Sequence, residues 1–207
     1  MKFRFVLWVV LVMLTAYGLF TAESFFMQRS LAEKTVRLHV VANSDSEADQ
    51  AQKLRVRDAV LREVTALTKN CTDAVQARAV IGQNLDVIEV SAQRVLTDEG
   101  SSYPVSVSLG TEDFDTRYYE TFTLPAGKYP ALRVKIGAAE GKNWWCVVFP
   151  SLCTAATTDA VEEYAAVGGF DETETDFITG GEEKYEFRFK TLEWLKELFS
   201  WMSLDFS

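Results

Sequence analysis

Apolar and polar residues alternate along TVRLHVVA (35–42). This places Leu38, Val40 and Ala42 on one face and Arg37, His39 and Val41 on the other, the pattern of a strand. Asn43-Ser44-Asp45-Ser46 breaks the alternation, and a helical period follows. Val56, Val60, Val64 and Leu67, joined by Leu54 and Leu61, predict a helix from Asp45 to Thr68 whose polar face carries Gln50, Lys53, Arg57 and Asp58. Ser44-x-x-Glu47 predicts a capping box at its start, the hydroxyl accepting from the Glu47 amide and the carboxylate reaching back. A second helical stretch runs from Asp73 to Thr97 with an interruption at Gly82, its stripe formed by Leu85, Ile88, Ala92 and Val95.

Beyond the Gly100–Pro104 turn the pattern becomes that of a sheet. VSVSLG (105–110), TRYYETFTL (116–124), YPALRVKIG (129–137) and NWWCVVF (143–149) read as strands, with a turn at Pro125-Ala126-Gly127. Their closeness in sequence predicts antiparallel hairpins. Residues 158–167 read as a short helix, KYEFRFK (184–190) as a strand and TLEWLKELFSWM (191–202) as an amphipathic helix. The expected fold is a single α+β domain, a mostly antiparallel sheet packed by two or three helices.

An uncharged run, Phe5 to Ala22, precedes all of this, with Lys2 and Arg4 in front of it. That order fits a cytoplasmic N-terminus and an exported remainder. The run suits either a cleaved signal peptide or a retained membrane anchor. The expected division is residues 1–24 as this export segment, 25–34 as a linker, and 35–203 as the domain, with an acidic loop region at 154–183.

Composition adds direction to that reading. The formal net charge is −9, and losing Lys2 and Arg4 with the run up to Ala22 would take it to −11. Such a domain is poorly suited to nucleic acid or to anionic lipid headgroups and better suited to a basic protein partner. The acid concentrates between Lys142 and Lys184, where no Lys or Arg occurs. It reads as a solvated surface with a loop, or as a docking patch.

Candidate chemistry is sparse. His39 is the single histidine, so a Ser-His or Cys-His site would need it, and it sits in a strand beside Arg37. The three cysteines and His39 lack the spacing of a zinc motif. N-S-D-S-E-A-D (43–49) places oxygen at alternate positions as a calcium loop does. However, Ala48 and Leu54 stand where that loop requires Gly and Glu, so the cap is the better account. No phosphate loop or dinucleotide fingerprint is present, and no metal or cofactor is expected. Cys146 follows two tryptophans in mid-strand, which favours a buried, inert thiol over a nucleophile. Outside the cytosol a disulfide is favoured. Cys146 and Cys153 are the closest pair, with Pro150-Ser151 as a bend between them, so a bridge with Cys71 free is expected, against two buried free thiols.

RLHVVANSDSEADQAQKLRVRDAV (37–60) and YPALRVKIGAAEGKNWWCVVFPSLC (129–153) together resemble the stage II sporulation protein R family. The motif residues are Ser44 and Glu47 in the first stretch, and Gly141, Lys142, Asn143, Trp144 and Trp145 in the second. The resemblance implies a signalling protein rather than an enzyme. It would be made in the forespore and exported to the space between two membranes. There it would trigger a membrane-embedded aspartic protease of the mother cell to process the precursor of sigma-E. Asn43, Asp45, Asp49, Gln50, Lys53 and Arg57 exceed what a cap needs, and part of that face is expected either to touch the partner or to maintain the fold. Two other functions compete: an exported hydrolase using Cys146 or a serine with His39, and a structural protein binding the envelope.

Overall fold

In the computed structural model, which describes residues 2–155 and 157–180, helix α1 (Lys2–Glu33) leads directly into β1 (Val36–Val41). Three helices follow: α2 (Glu47–Thr68), α3 (Ala74–Gln83) and α4 (Leu85–Asp98). Then come β2 (Val105–Phe114), a small hairpin of β3 (Arg117–Tyr118) and β4 (Thr123–Leu124), β5 (Gly127–Ile136) and β6 (Asn143–Phe149). A 3-10 turn (Leu152–Thr154), α5 (Thr158–Val167) and α6 (Glu172–Thr179) complete the described chain.

The sheet has the order β2-β5-β1-β6. Every residue of β1 is buried, as befits a strand covered on both faces. It runs parallel to β5 and antiparallel to β6, while β2 and β5 are antiparallel. The sheet is therefore mixed. β5 and β6 do not form the expected hairpin, because β1 lies between them. The long path through α2, α3, α4 and β2 supplies the crossover that a parallel pair requires.

On one face α2, α3 and α4 pack Val56, Val60, Val64, Ile81, Ile88 and Leu96 against Leu38, Val40, Leu132 and Val134. The other face is covered by the end of α1, the β3–β4 hairpin, the 3-10 turn, α5 and α6, through Leu31, Phe122, Leu124, Leu152, Val161 and Ile178.

Several expectations are corrected. The described residues contain six α-helices rather than two or three. Residues 25–33, expected as a linker, belong to α1, because nothing in FFMQRSLAE breaks a helix, and Leu31 and Ala32 are buried in the core. TRYYETFTL forms two short strands instead of one. The acidic stretch is mostly helical, because Asp171 and Glu174 form a reciprocal capping box that starts α6. The segments expected at 184–190 and 191–202 lie outside the described residues. Among the described residues, which leave out most side chains of 2–22, no helix is long and apolar enough to cross a membrane.

Candidate functional site

The connection from β5 to β6 has to pass over the end of β1, and the two sequence motifs meet there. Gly141 N donates to Ala42 O (3.0 Å) and Glu140 N to Asn43 O (3.1 Å). The approach requires glycine twice. A Cβ at Gly141 would run into the Ser44 carbonyl, and Gly137, at φ +56°, would clash with the Asn43 side chain. The Asn43 Oδ1 accepts from Ala138 N (2.9 Å), and Asp45 Oδ1 accepts from Lys142 N (2.7 Å).

Beneath this crossing the polar residues of α2 turn inward. Asp49 Oδ2 accepts from Asn43 Nδ2 (2.8 Å) and Ser44 Oγ (2.6 Å). The Ser44 bond first, then that from Asn43, holds the Asp49 carboxyl below the usual range, against the opposing effect of burial. Gln50 Nε2 donates to Ser44 O (2.9 Å). The Lys53 ammonium donates to Gln50 Oε1 (2.6 Å) and Lys142 O (3.0 Å), and burial pushes its pKa down. Asp49 is 7% exposed and Lys53 4%, so neither meets a partner without opening this clasp. The capping box expected at Ser44 and Glu47 is absent. Ser46 is the N-cap and accepts from Asp49 N (3.2 Å), while Ser44 is committed to the Asp49 carboxylate.

Asp45, Glu47, Lys142, Asn143 and Trp144 remain exposed around the clasp. Arg57, paired with Asp58, lies over the Trp144 ring at 4.3 Å, a cation–π contact. Trp145 points to the other sheet face and stacks on His39 with centroids 3.8 Å apart. His39 Nδ1 meets Glu112 Oε2 (2.8 Å) and Nε2 meets Asn143 Oδ1 (2.8 Å), and Glu112 also pairs with Arg133. Cys146 is the register partner of Leu38, on the opposite face from His39, and is joined to Cys153 by a disulfide with Cα atoms 5.9 Å apart. Cys71 is free and buried. The Cys146–His39 pair of the hydrolase reading is therefore not assembled, and both His39 nitrogens are already engaged. Among the described residues no group of three or more His, Cys, Asp or Glu is placed to hold a metal.

The family model for stage II sporulation protein R matches residues 32–159. The chain is also 34% identical to stage II sporulation protein R of Bacillus subtilis (strain 168) over 187 residues, which is 82% of this chain and 84% of that protein. The chain belongs to the stage II sporulation protein R family. This membership gives it a role in sporulation, and the family is named for a developmental stage and not for a reaction. No solved structure matches.

The family match spans β1, the clasp and the tryptophan strand and ends in α5, leaving α6 outside it. It also spans a residue that the strand pattern left unremarked beyond its face. Arg37 is 0% exposed, with its guanidinium 4.0 Å from the Phe114 centroid and 5.0 Å from that of Tyr129. Its Nη2 donates to Tyr119 Oη (2.8 Å), while Nε and Nη1 have no hydrogen-bond partner among the described residues. Burial pushes the Tyr129 phenol pKa up, so the ring beside Arg37 stays neutral. The alternation that paired Arg37 with His39 on one face was the available signal. The rings and hydroxyl around it come from residues distant in sequence.

Proposed function

We propose that this chain is an extracytoplasmic signal of sporulation. It leaves the forespore and activates a membrane-embedded aspartic protease of the mother cell, which then processes the precursor of sigma-E. The observation that carries this reading is membership of the stage II sporulation protein R family over most of the chain. Two features support it. Lys2 and Arg4 stand before the uncharged run, the order expected of a segment whose C-terminal side is exported. The Cys146–Cys153 disulfide suits a compartment outside the reducing cytosol. On this reading the rim of the clasp, with exposed Asp45, Lys142 and Trp144 and half-buried Arg57, is the surface offered to the protease.

Co-expression of the full chain with the candidate protease and the sigma-E precursor, in a host that lacks all three, tests the proposal. The precursor is expected to be cut only when the chain is present and its N-terminal segment is intact. Processing that proceeds equally without the chain would overturn it. A reporter active only in the cytoplasm, working when fused after residue 40, would overturn the export step.

A further inference from the structure

We propose that the α1 side of the folded domain is a second membrane contact, a seat for phospholipid headgroups that fixes how the domain stands on the bilayer. This rests on the export reading with the N-terminal segment retained.

The first observation is continuity. The uncharged run Phe5–Ala22 would span about 27 Å as a helix, close to the hydrocarbon thickness of a bilayer. It passes without interruption into the rest of α1, which ends only at Glu33. That end is fixed to the domain. Leu31 and Ala32 are buried in the core, and Ser30 and Lys34 both bond to the buried Glu174. Gly127 leaves room for the Gln28 side chain, so α1 lies directly on the start of β5. No flexible segment separates the run from the domain.

The second observation is what lies just past the run. Phe25 is 54% exposed and Phe26 66%, two adjacent aromatic rings facing solvent. Phenylalanine rings just past the run suit burial at the boundary between headgroups and acyl chains. Phe25 also lines a groove of about 460 Å³ whose charged lining is Arg29, Glu33, Arg78, Asp113 and Lys128. Arg29 pairs with Glu33 (2.8 Å) and Lys128 with Asp113 (3.2 Å), both at the exposed surface. Arg78 is held by the Ala74 carbonyl instead (3.2 Å), leaving the groove one positive charge in surplus. Exposed ion pairs are weak enough for a phosphate to compete for the same cations.

The occupant is the phosphodiester of a phospholipid headgroup. Arg29 is seven residues beyond Ala22, so the groove opens about 10 Å above the end of the run, within reach of the headgroup layer. The chain's net charge of −9 opposes approach to an anionic surface at long range. The run brings the groove there regardless, and the groove itself acts only at contact distance.

The test uses the full chain reconstituted in phosphatidylethanolamine–phosphatidylglycerol nanodiscs, with a photoreactive amino acid at Thr111, which lines the groove. The control is the same label at Ser106, exposed on the same strand and about 17 Å away. A lipid adduct is expected at Thr111 with at most one-tenth of that yield at Ser106. Arg78→Glu with Lys128→Glu should cut the Thr111 yield at least fivefold with the melting temperature unchanged. Arg78→Gln, which retains a donor for the Ala74 carbonyl, should cut it about twofold. Equal yields at the two positions, or a Thr111 yield indifferent to both variants, would overturn the seat. If wild-type chain drives precursor processing but gives no Thr111 adduct, the seat fails and the signalling reading stands. An adduct without processing has the reverse meaning.

Discussion

The two ends of the central sheet handle polar groups differently. Where β1 ends, Asn43, Ser44, Asp49, Gln50 and Lys53 bond to each other and to the 138–142 connection, and two of them are buried. Where β5 begins, Arg29, Arg78 and Lys128 line an open groove beside two exposed phenylalanines. The first end spends its polar residues on the fold. The second leaves cations and rings available. Polarity in a sequence thus says little about contact with partners until the burial of each group is known.

The largest expected effect is at the clasp. Lys53→Ala removes the donor for two acceptors and should cost about 3 kcal/mol in denaturant unfolding. Arg78→Ala at the other end should stay within about 0.5 kcal/mol. Comparable losses would erase the contrast. Next, replacing Cys146 and Cys153 together by Ser opens an eight-residue loop and should cost about 2.5 kcal/mol in the chain-entropy model. Reduction of the wild-type protein should reproduce that loss.

Ser46→Ala should cost about 1 kcal/mol as the lost helix cap. Ser44→Ala should act differently, by raising the Asp49 pKa toward its ordinary value. Asp49 also sets a pH dependence. Its folded pKa lies below the unfolded one, so its contribution is fully present above about pH 4 and declines as pH falls through the folded value. Asp49→Asn should remove that part of the acid transition, and an unchanged acid limb would exclude Asp49 as its source. A smaller stability effect than at the clasp, below about 1 kcal/mol, is expected for Arg57→Ala or Trp144→Ala, a partly exposed cation–π pair. These two variants should instead lower precursor processing. Loss of processing only in proportion to loss of stability would remove the clasp rim from the contact surface.

Local signals in the sequence held well. The helix expected at 158–167 is α5 with those bounds, the strand at 143–149 is β6, and the Cys146–Cys153 bridge is present. Choices between near-equivalent local signals did not always hold. Ser44-x-x-Glu47 and Ser46-x-x-Asp49 are both capping patterns, and the second prevails because Ser44 is drawn to the Asp49 carboxylate. The same pattern at Asp171-x-x-Glu174 starts α6 inside a stretch whose charge predicts a loop. What sequence could not supply was distance. The inward turn of Lys53 depends on a carbonyl at Lys142, and the mixed sheet depends on β1 displacing a hairpin that the spacing favoured.

The position of β1 also orders events in time. The first strand to be made ends up between the last two described strands, and its pairing is incomplete until Phe149 exists. Non-local pairing of this kind slows folding, because distant segments must meet before any contact is rewarded. The clasp can close only after the 138–142 connection has followed β1, α2, α3, α4, β2 and β5, so closure comes late and reports that the sheet's centre has been assembled.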